Sequence, residues 1–173
     1  MTDPKGKYVR ISTFADADLT HDLETRRYFT GFLMLLNESP IQLYSNMNNN
    51  METSTYYSEL VATIISTELT MEMSYSLRML GVPIDGPSQI LGDNYSIVTN
   101  FSITSRTLKK KQNDIAYHQV REALDAGVIN LAHTPEKSNP ADLLTNPLGP
   151  QQHYPLVKKF LVSVRFRLQG GVR

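Results

Sequence analysis

The sequence predicts an α/β protein built on a mixed five-stranded sheet, three antiparallel strands followed by two parallel ones, flanked by helices. Three observations lead there. Three β-rich runs lie close together in the first 45 residues. A long stretch at 54–80 carries apolar residues at helical spacing. Beyond it, strand, helix and strand signals alternate, the pattern of a parallel crossover.

Residues 8–16 (YVRISTFAD) read as the first strand. A polar connection at 19–25 leads to a second strand at 26–36, where Tyr28, Phe29, Phe32, Leu33, Leu35 and Leu36 fall on both faces around Gly31. A strand apolar on both faces is usually central in its sheet. Residues 37–40 (NESP) make a turn, and 41–44 a short third strand. So little chain between them favours antiparallel hairpins. The Asn-rich run 46–50 reads as a loop.

In the helix predicted at 54–80, Ala62, Ile65, Ser66, Leu69, Met73, Leu77 and Leu80 form one stripe. Glu59 sits at its edge, whereas Glu68 and Glu72 lie opposite and are expected in solvent. Gly81 and Pro83 stop the helix. Residues 88–92 (SQILG) are short and apolar enough for a buried strand, and residues 94–96 open a helix. A further helix at 117–126 ends at Gly127, and residues 128–133 (VINLAH) make the fifth strand. Asn139 suits an N-cap and Pro140 the first position of the next helix. Residues 151–163 form a closing helix. One domain at 8–161 follows, with an N-terminal extension at 1–7 and a C-terminal tail at 162–173.

Composition bounds the function. Hydrophobic residues make up 40% and charged residues 20% of the chain, as in a globular protein. Seventeen basic and seventeen acidic residues cancel, which argues against a strongly basic nucleic-acid binder but leaves room for a local patch. The densest such patch is Arg106, Lys109, Lys110 and Lys111. There is no cysteine, hence no disulfide framework and no thiolate metal site. No apolar run approaches the ~20 residues of a membrane span, and residues 1–7 lack the apolar segment of a secretory signal. The expectation is an intracellular protein with no membrane partner.

The chemistry-bearing residues are acidic. Asp16 and Asp18 end the first strand on one face, because strand side chains alternate. Like charges so placed repel unless a cation or solvent separates them; as a plain alternative, both simply lead into a turn. Glu59 either faces the core or complements the helix dipole. Asp93 follows the fourth strand, where it either joins a site or caps the next helix. Asp142 falls in a first helical turn, where its charge is favourable in any case. Carboxylates gathered from separate elements are what a magnesium site requires, since hard cations take oxygen ligands.

The order of elements and the placement of these acids resemble the ribonuclease H fold. The resemblance tightens in five motifs: FADADLTHDLETRRYFTGF (14–32), STYYSELVA (54–62), RMLGVPIDGPSQILGDN (78–94), NDIAYHQVREALDAGVI (113–129) and NPADLLTNPL (139–148). Together they resemble the ribonuclease H domain of copia-type LTR retrotransposon polyproteins, over about residues 8–161. That domain follows the reverse transcriptase in the polyprotein. The resemblance implies that Asp16, Glu59, Asp93 and Asp142 are the metal-binding and catalytic carboxylates. Four positions depart from the family's pattern: Tyr57 where small residues or Glu are usual, Tyr95 in place of Lys or Gln, Gln112 in place of His, and Asn146 in place of Lys. Cellular ribonucleases H carry a His shortly before the last Asp; His133 is the nearest candidate here for such a proton shuttle, but it belongs to the end of the fifth strand. His118 is read as packing on its own helix.

The implied function is an endonuclease that cuts the RNA strand of an RNA–DNA hybrid. Two Mg²⁺ about 4 Å apart, with Mn²⁺ as a substitute, would activate water and stabilise the leaving oxygen, and Asp16 would bridge them. Selectivity would come from 2′-hydroxyls and groove shape, and the partner protein would be a reverse transcriptase domain of the same polyprotein. Arg106 and Lys109–Lys111 would meet backbone phosphates, or else form a solvated face. The alternative is a catalytically weak module of the same fold that binds nucleic acid or supports a polymerase; convergence of the carboxylates discriminates the two.

Overall fold

A computed structural model describes residues 6–18, 28–48, 55–102 and 111–168; for 102, 111–114, 116 and 160–168 it describes the backbone alone. The elements run β1 (Ile11–Asp18), β2 (Tyr28–Leu36), β3 (Ser39–Asn48), α1 (Thr55–Met79), β4 (Ser88–Gly92), α2 (Tyr95–Ser102), α3 (Lys111–Asp125), β5 (Ile129–His133), α4 (Asp142–Thr145) and α5 (Pro150–Leu168). A 3₁₀ turn at Glu136–Ser138 precedes α4. The sheet order is β3-β2-β1-β4-β5. β1 and β3 flank β2 antiparallel, while β4 pairs parallel with both β1 and β5. This is the expected mixed five-stranded sheet.

The β2–β3 hairpin turns on Asn37 and Glu38, both in the left-handed region at φ 48° and 67°. Two such residues make the turn whose twist matches that of the strands. β3 extends well beyond the four residues expected, and Asn46–Asn48 belong to it rather than to a loop. Its polar, edge-strand sequence hides it: Leu43 and Met47 are exposed, so no buried alternation marks its length. α1 ends as the sequence predicts. Gly81 adopts φ 75°, and its N–H and that of Val82 bond back to the Arg78 and Leu77 carbonyls.

α1 crosses one face of the sheet with α2 and α3 beside it. Leu60, Ile64, Ile90, Ile97, Phe101, Tyr117, Val120 and Ile129 form the larger core there. Ile65, Leu69, Met73 and Leu77 of the predicted stripe pack half-buried against Ile11, Phe32 and Met34, whereas Leu80 is exposed. The fully buried face of α1 is largely hydroxylic: Thr63, Ser66, Thr67, Thr70 and Ser74. Four of these satisfy themselves by bonding the carbonyl one turn back. Small side chains let α1 lie close upon β1 in their place.

Three further expectations are corrected. Two helices join β4 to β5, and the second, α3, begins at Lys111 rather than 117. Helix α4 begins at Asp142, with Ala141 in the N-cap position and no side-chain cap; Asn139 instead bonds Ala15. α5 continues to Leu168, beyond the end expected at 163. α4 and α5 lie against the sheet's other face, where Leu33, Leu43, Leu143, Leu144 and Val157 line a cavity of about 220 Å³.

Candidate metal centre

β1 and β4 pair only over Ser12–Phe14 and Gln89–Leu91, after which β1 runs on to Asp18 without β4 alongside. The strands part at their C-terminal ends, and this is where ligands bind in open α/β sheets. Asp16 stands on the freed part of β1, Asp93 follows the end of β4, and Glu59 arrives from α1. Glu59 lies beyond the first turn of α1, so the helix-dipole reading does not account for it. The cap of α2 comes from Asn94, whose Oδ1 accepts from the Ser96 N–H at 3.0 Å, leaving Asp93 free of that duty.

One carboxylate oxygen each from Asp16, Glu59 and Asp93 lie within 4.8 Å of one another. Asp16 is 4% exposed and Glu59 8%. Asp142 stands outside this set of three but close enough to couple electrostatically with Asp16, Asp93 and Glu59. Burial, then the neighbouring Asp16 and Asp93 charges, push Glu59 up to about 9. Burial foremost, with Asp93 and Asp18 adding to it and the Thr145 hydroxyl opposing it, raises Asp16 to about 6. Burial, Asp16, Asp93 and Glu136 raise Asp142 to about 7. Asp93 is raised chiefly by burial and by Glu136. Crowded, half-desolvated carboxylates with only oxygen donors fit a hard divalent cation, which relieves their repulsion.

Glu136 and Thr145, which no sequence signal marks, stand beside this set together with His133 and Asn139. Glu136, in the 3₁₀ turn, adds a fifth carboxylate to the field at Asp93 and Asp142. His133 Nε2 lies 3.0 Å from the Asp93 carbonyl, with its ring edge-on to Tyr95. Thr145 donates its hydroxyl to Asp16 Oδ2. Asn139 Nδ2 donates to the Ala15 carbonyl at 3.0 Å and its Oδ1 accepts from the Ala141 N–H at 3.2 Å. No local pattern marks either bond to β1, because the partners lie 129 and 124 residues apart. Tyr57 is half-buried and stacks edge-on with Tyr56 near Glu59. His118 is exposed and edge-on to Tyr117. Arg106, Lys109 and Lys110 lie outside the described residues, and Lys111 opens α3 with only its backbone described. A groove of about 480 Å³ between α1 and α3, rimmed by Glu68 and Glu72, includes none of the four carboxylates.

Solved structures share this arrangement of strands and helices. The N-terminal RNase H domain of rv2228c from Mycobacterium tuberculosis superposes with a TM-score of 0.56 at 15% identity, over 87% of this chain and 97% of that one. LC11-RNase H1, solved in complex with an RNA/DNA hybrid, gives 0.56 at 18% identity, over 79% and 94%. The fold is ribonuclease H-like. In sequence, the chain is 26% identical over 161 residues to the retrovirus-related Pol polyprotein from transposon TNT 1-94 of Nicotiana tabacum, covering 87% of this chain and 11% of that protein. It is 25% identical over 146 residues to the Pol polyprotein from transposon RE1 of Arabidopsis thaliana, covering 84% and 10%. The chain thus spans about a tenth of the curated relatives it matches. No family model matches it. These findings agree with the motif resemblance to the ribonuclease H domain of a copia-type element.

Proposed function

We propose that this ribonuclease H-like domain is an endonuclease that hydrolyses the RNA strand of RNA–DNA hybrids. The observation that carries the reading is the meeting of Asp16, Glu59 and Asp93, from three separate elements, where β1 and β4 part. Asp142, coupled to that group, completes a four-carboxylate set that would hold two Mg²⁺, or Mn²⁺ in their place. Bound cations supply an activated water and neutralise charge on the leaving oxygen of the phosphodiester. The chain's own part is to hold four carboxylates close together against burial and mutual repulsion, both of which raise their pKa values, so that a cation's charge would favour their ionised forms. Substrate choice rests on 2′-hydroxyls and hybrid shape, with Arg106, Lys109, Lys110 and Lys111 contacting backbone phosphates. The relatives' Pol polyproteins favour a reverse transcriptase as the partner domain, in an intracellular setting. Among the described residues no helix is long and apolar enough to cross a membrane.

The test is cleavage of a labelled hybrid beside single-stranded RNA, duplex RNA and duplex DNA, with Mg²⁺, with Mn²⁺ and with a chelator. Metal-dependent cutting of the RNA strand in the hybrid alone is expected. Absence of cleavage with either metal would leave the weak scaffold module as the better reading.

A further inference from the structure

Thr145 is the last residue of α4, three places after Asp142, and is 5% exposed. Its hydroxyl donates to Oδ2 of Asp16, while its oxygen accepts from Asn146 Nδ2 at 3.4 Å. With Asn146 donating in, the hydroxyl hydrogen is committed to Asp16. The room for this contact is provided by the neighbouring strand. Asp16 pairs across the sheet with Gly31, so the two positions share a face. A Cβ at Gly31 would stand 2.7 Å from Thr145 Cγ2 and 2.9 Å from Leu144 Cβ. Only a strand position without a side chain lets the end of α4 settle on β1. Two more bonds hold it there: Ser45 Oγ donates to the Leu144 carbonyl at 2.6 Å, and Asn139 Nδ2 donates to the Ala15 carbonyl at 3.0 Å.

We propose that Thr145 is a positioning residue for Asp16, its hydroxyl fixing the carboxylate's rotation towards Glu59 and Asp93, with Gly31 as the clearance that admits it. The inference rests on the metal-dependent reading above. A carboxylate held by one donor keeps its remaining lone pairs aimed in a fixed direction. Partners that orient a ligand in this way are worth about 10–100-fold in metal affinity or activity. The bond also favours the ionised form, the one a cation requires. A plain tether would act otherwise: it would hold α4 on the sheet and leave the carboxylate's metal affinity unchanged.

Thr145→Val keeps the shape and deletes the hydroxyl, whereas Thr145→Ser keeps the hydroxyl. Mn²⁺ binding followed by calorimetry, and the Mg²⁺ concentration that gives half-maximal hybrid cleavage, are read beside the melting temperature without metal. Expected are about a tenfold weaker Mn²⁺ affinity and a matching rise in the Mg²⁺ requirement for Thr145→Val, with Thr145→Ser within about twofold of wild type. Thr145→Val binding Mn²⁺ like wild type while melting lower overturns the proposal in favour of the tether. So does Thr145→Ser losing affinity, which also decides the matter if the valine variant does not fold. A wild type that binds Mn²⁺ but cuts no hybrid sinks the nuclease reading and leaves the positioning inference standing on its binding data. A wild type that binds no Mn²⁺ sinks both.

Discussion

Thr13 Oγ1 of β1 and Thr70 Oγ1 of α1 lie 2.7 Å apart, both residues fully buried. This pair fixes the register of the helix on the strand. Glu59 lies about three helical turns before Thr70, and Asp16 three residues beyond Thr13, so the hydroxyl pair anchors the two elements whose far ends bring these carboxylates together. Replacing Thr70 by Val leaves the buried Thr13 hydroxyl without this partner. The expected loss is about 1–3 kcal/mol, read as a lower melting temperature at roughly 2–4 °C per kcal/mol. Converting both residues to Val should recover much of it, because neither polar group is then left unpaired. A Thr70→Val protein as stable as wild type would show that the pair contributes nothing.

Asp93→Asn is expected to abolish hybrid cleavage while leaving fold and hybrid binding intact. It keeps size and removes one negative charge from the metal set. Relief of repulsion should leave the metal-free melting temperature equal to or above wild type, and the Mg²⁺-induced rise should shrink, since ligand linkage follows affinity. Asn94 already caps α2, so no helix-capping loss accompanies the change. Near wild-type cutting by this variant would remove Asp93 from the mechanism.

Without metal, stability should fall as pH rises. Asp16, Asp142 and Glu59 titrate in the folded chain at about 6, 7 and 9, all above the ordinary carboxylate range, and Asp93 is shifted the same way. The folded state therefore keeps protons that the unfolded chain releases. The stability these groups contribute is fully present below about pH 4 and is lost as pH climbs through the raised values. Melting in chelator should drop between about pH 5 and pH 9, with Mg²⁺ restoring more at higher pH because binding displaces protons. A flat or rising metal-free profile over that range would contradict the raised values.

The basic cluster has its own signature. Converting Lys109, Lys110 and Lys111 to Ala should weaken hybrid binding about equally for all sequences. It should also flatten the salt dependence by roughly one unit of slope per lost phosphate contact. An unchanged salt slope would make the cluster a solvated face.

Local punctuation made much of the fold legible. Short apolar composition marked β4 at Ser88–Gly92, and Gly81 and Gly127 marked two helix ends. The carboxylates showed because each sits at an element boundary or on a helix edge. Hydrophobic periodicity found the half-buried side of α1 and missed part of its deepest face, since Thr63, Thr67, Thr70 and Ser74 read as polar. β3 was under-read because an edge strand need not alternate. The bonds of Thr145 and Asn139 to β1 stayed hidden for another reason. Their significance lies in partners at the far end of the chain, and hydrogen-bond partners at that separation leave no periodic trace.

That separation also has a consequence in time. Thr145 is made about 130 residues after Asp16. On a ribosome adding about 5–20 residues per second, the first three carboxylates emerge well before the helix that grips one of them. Long-range closures of this kind also come late in folding. Over that interval the acidic strand still lacks its grip, and Asp16 can be secured only once the segment carrying Asn139 and Thr145 has left the exit tunnel.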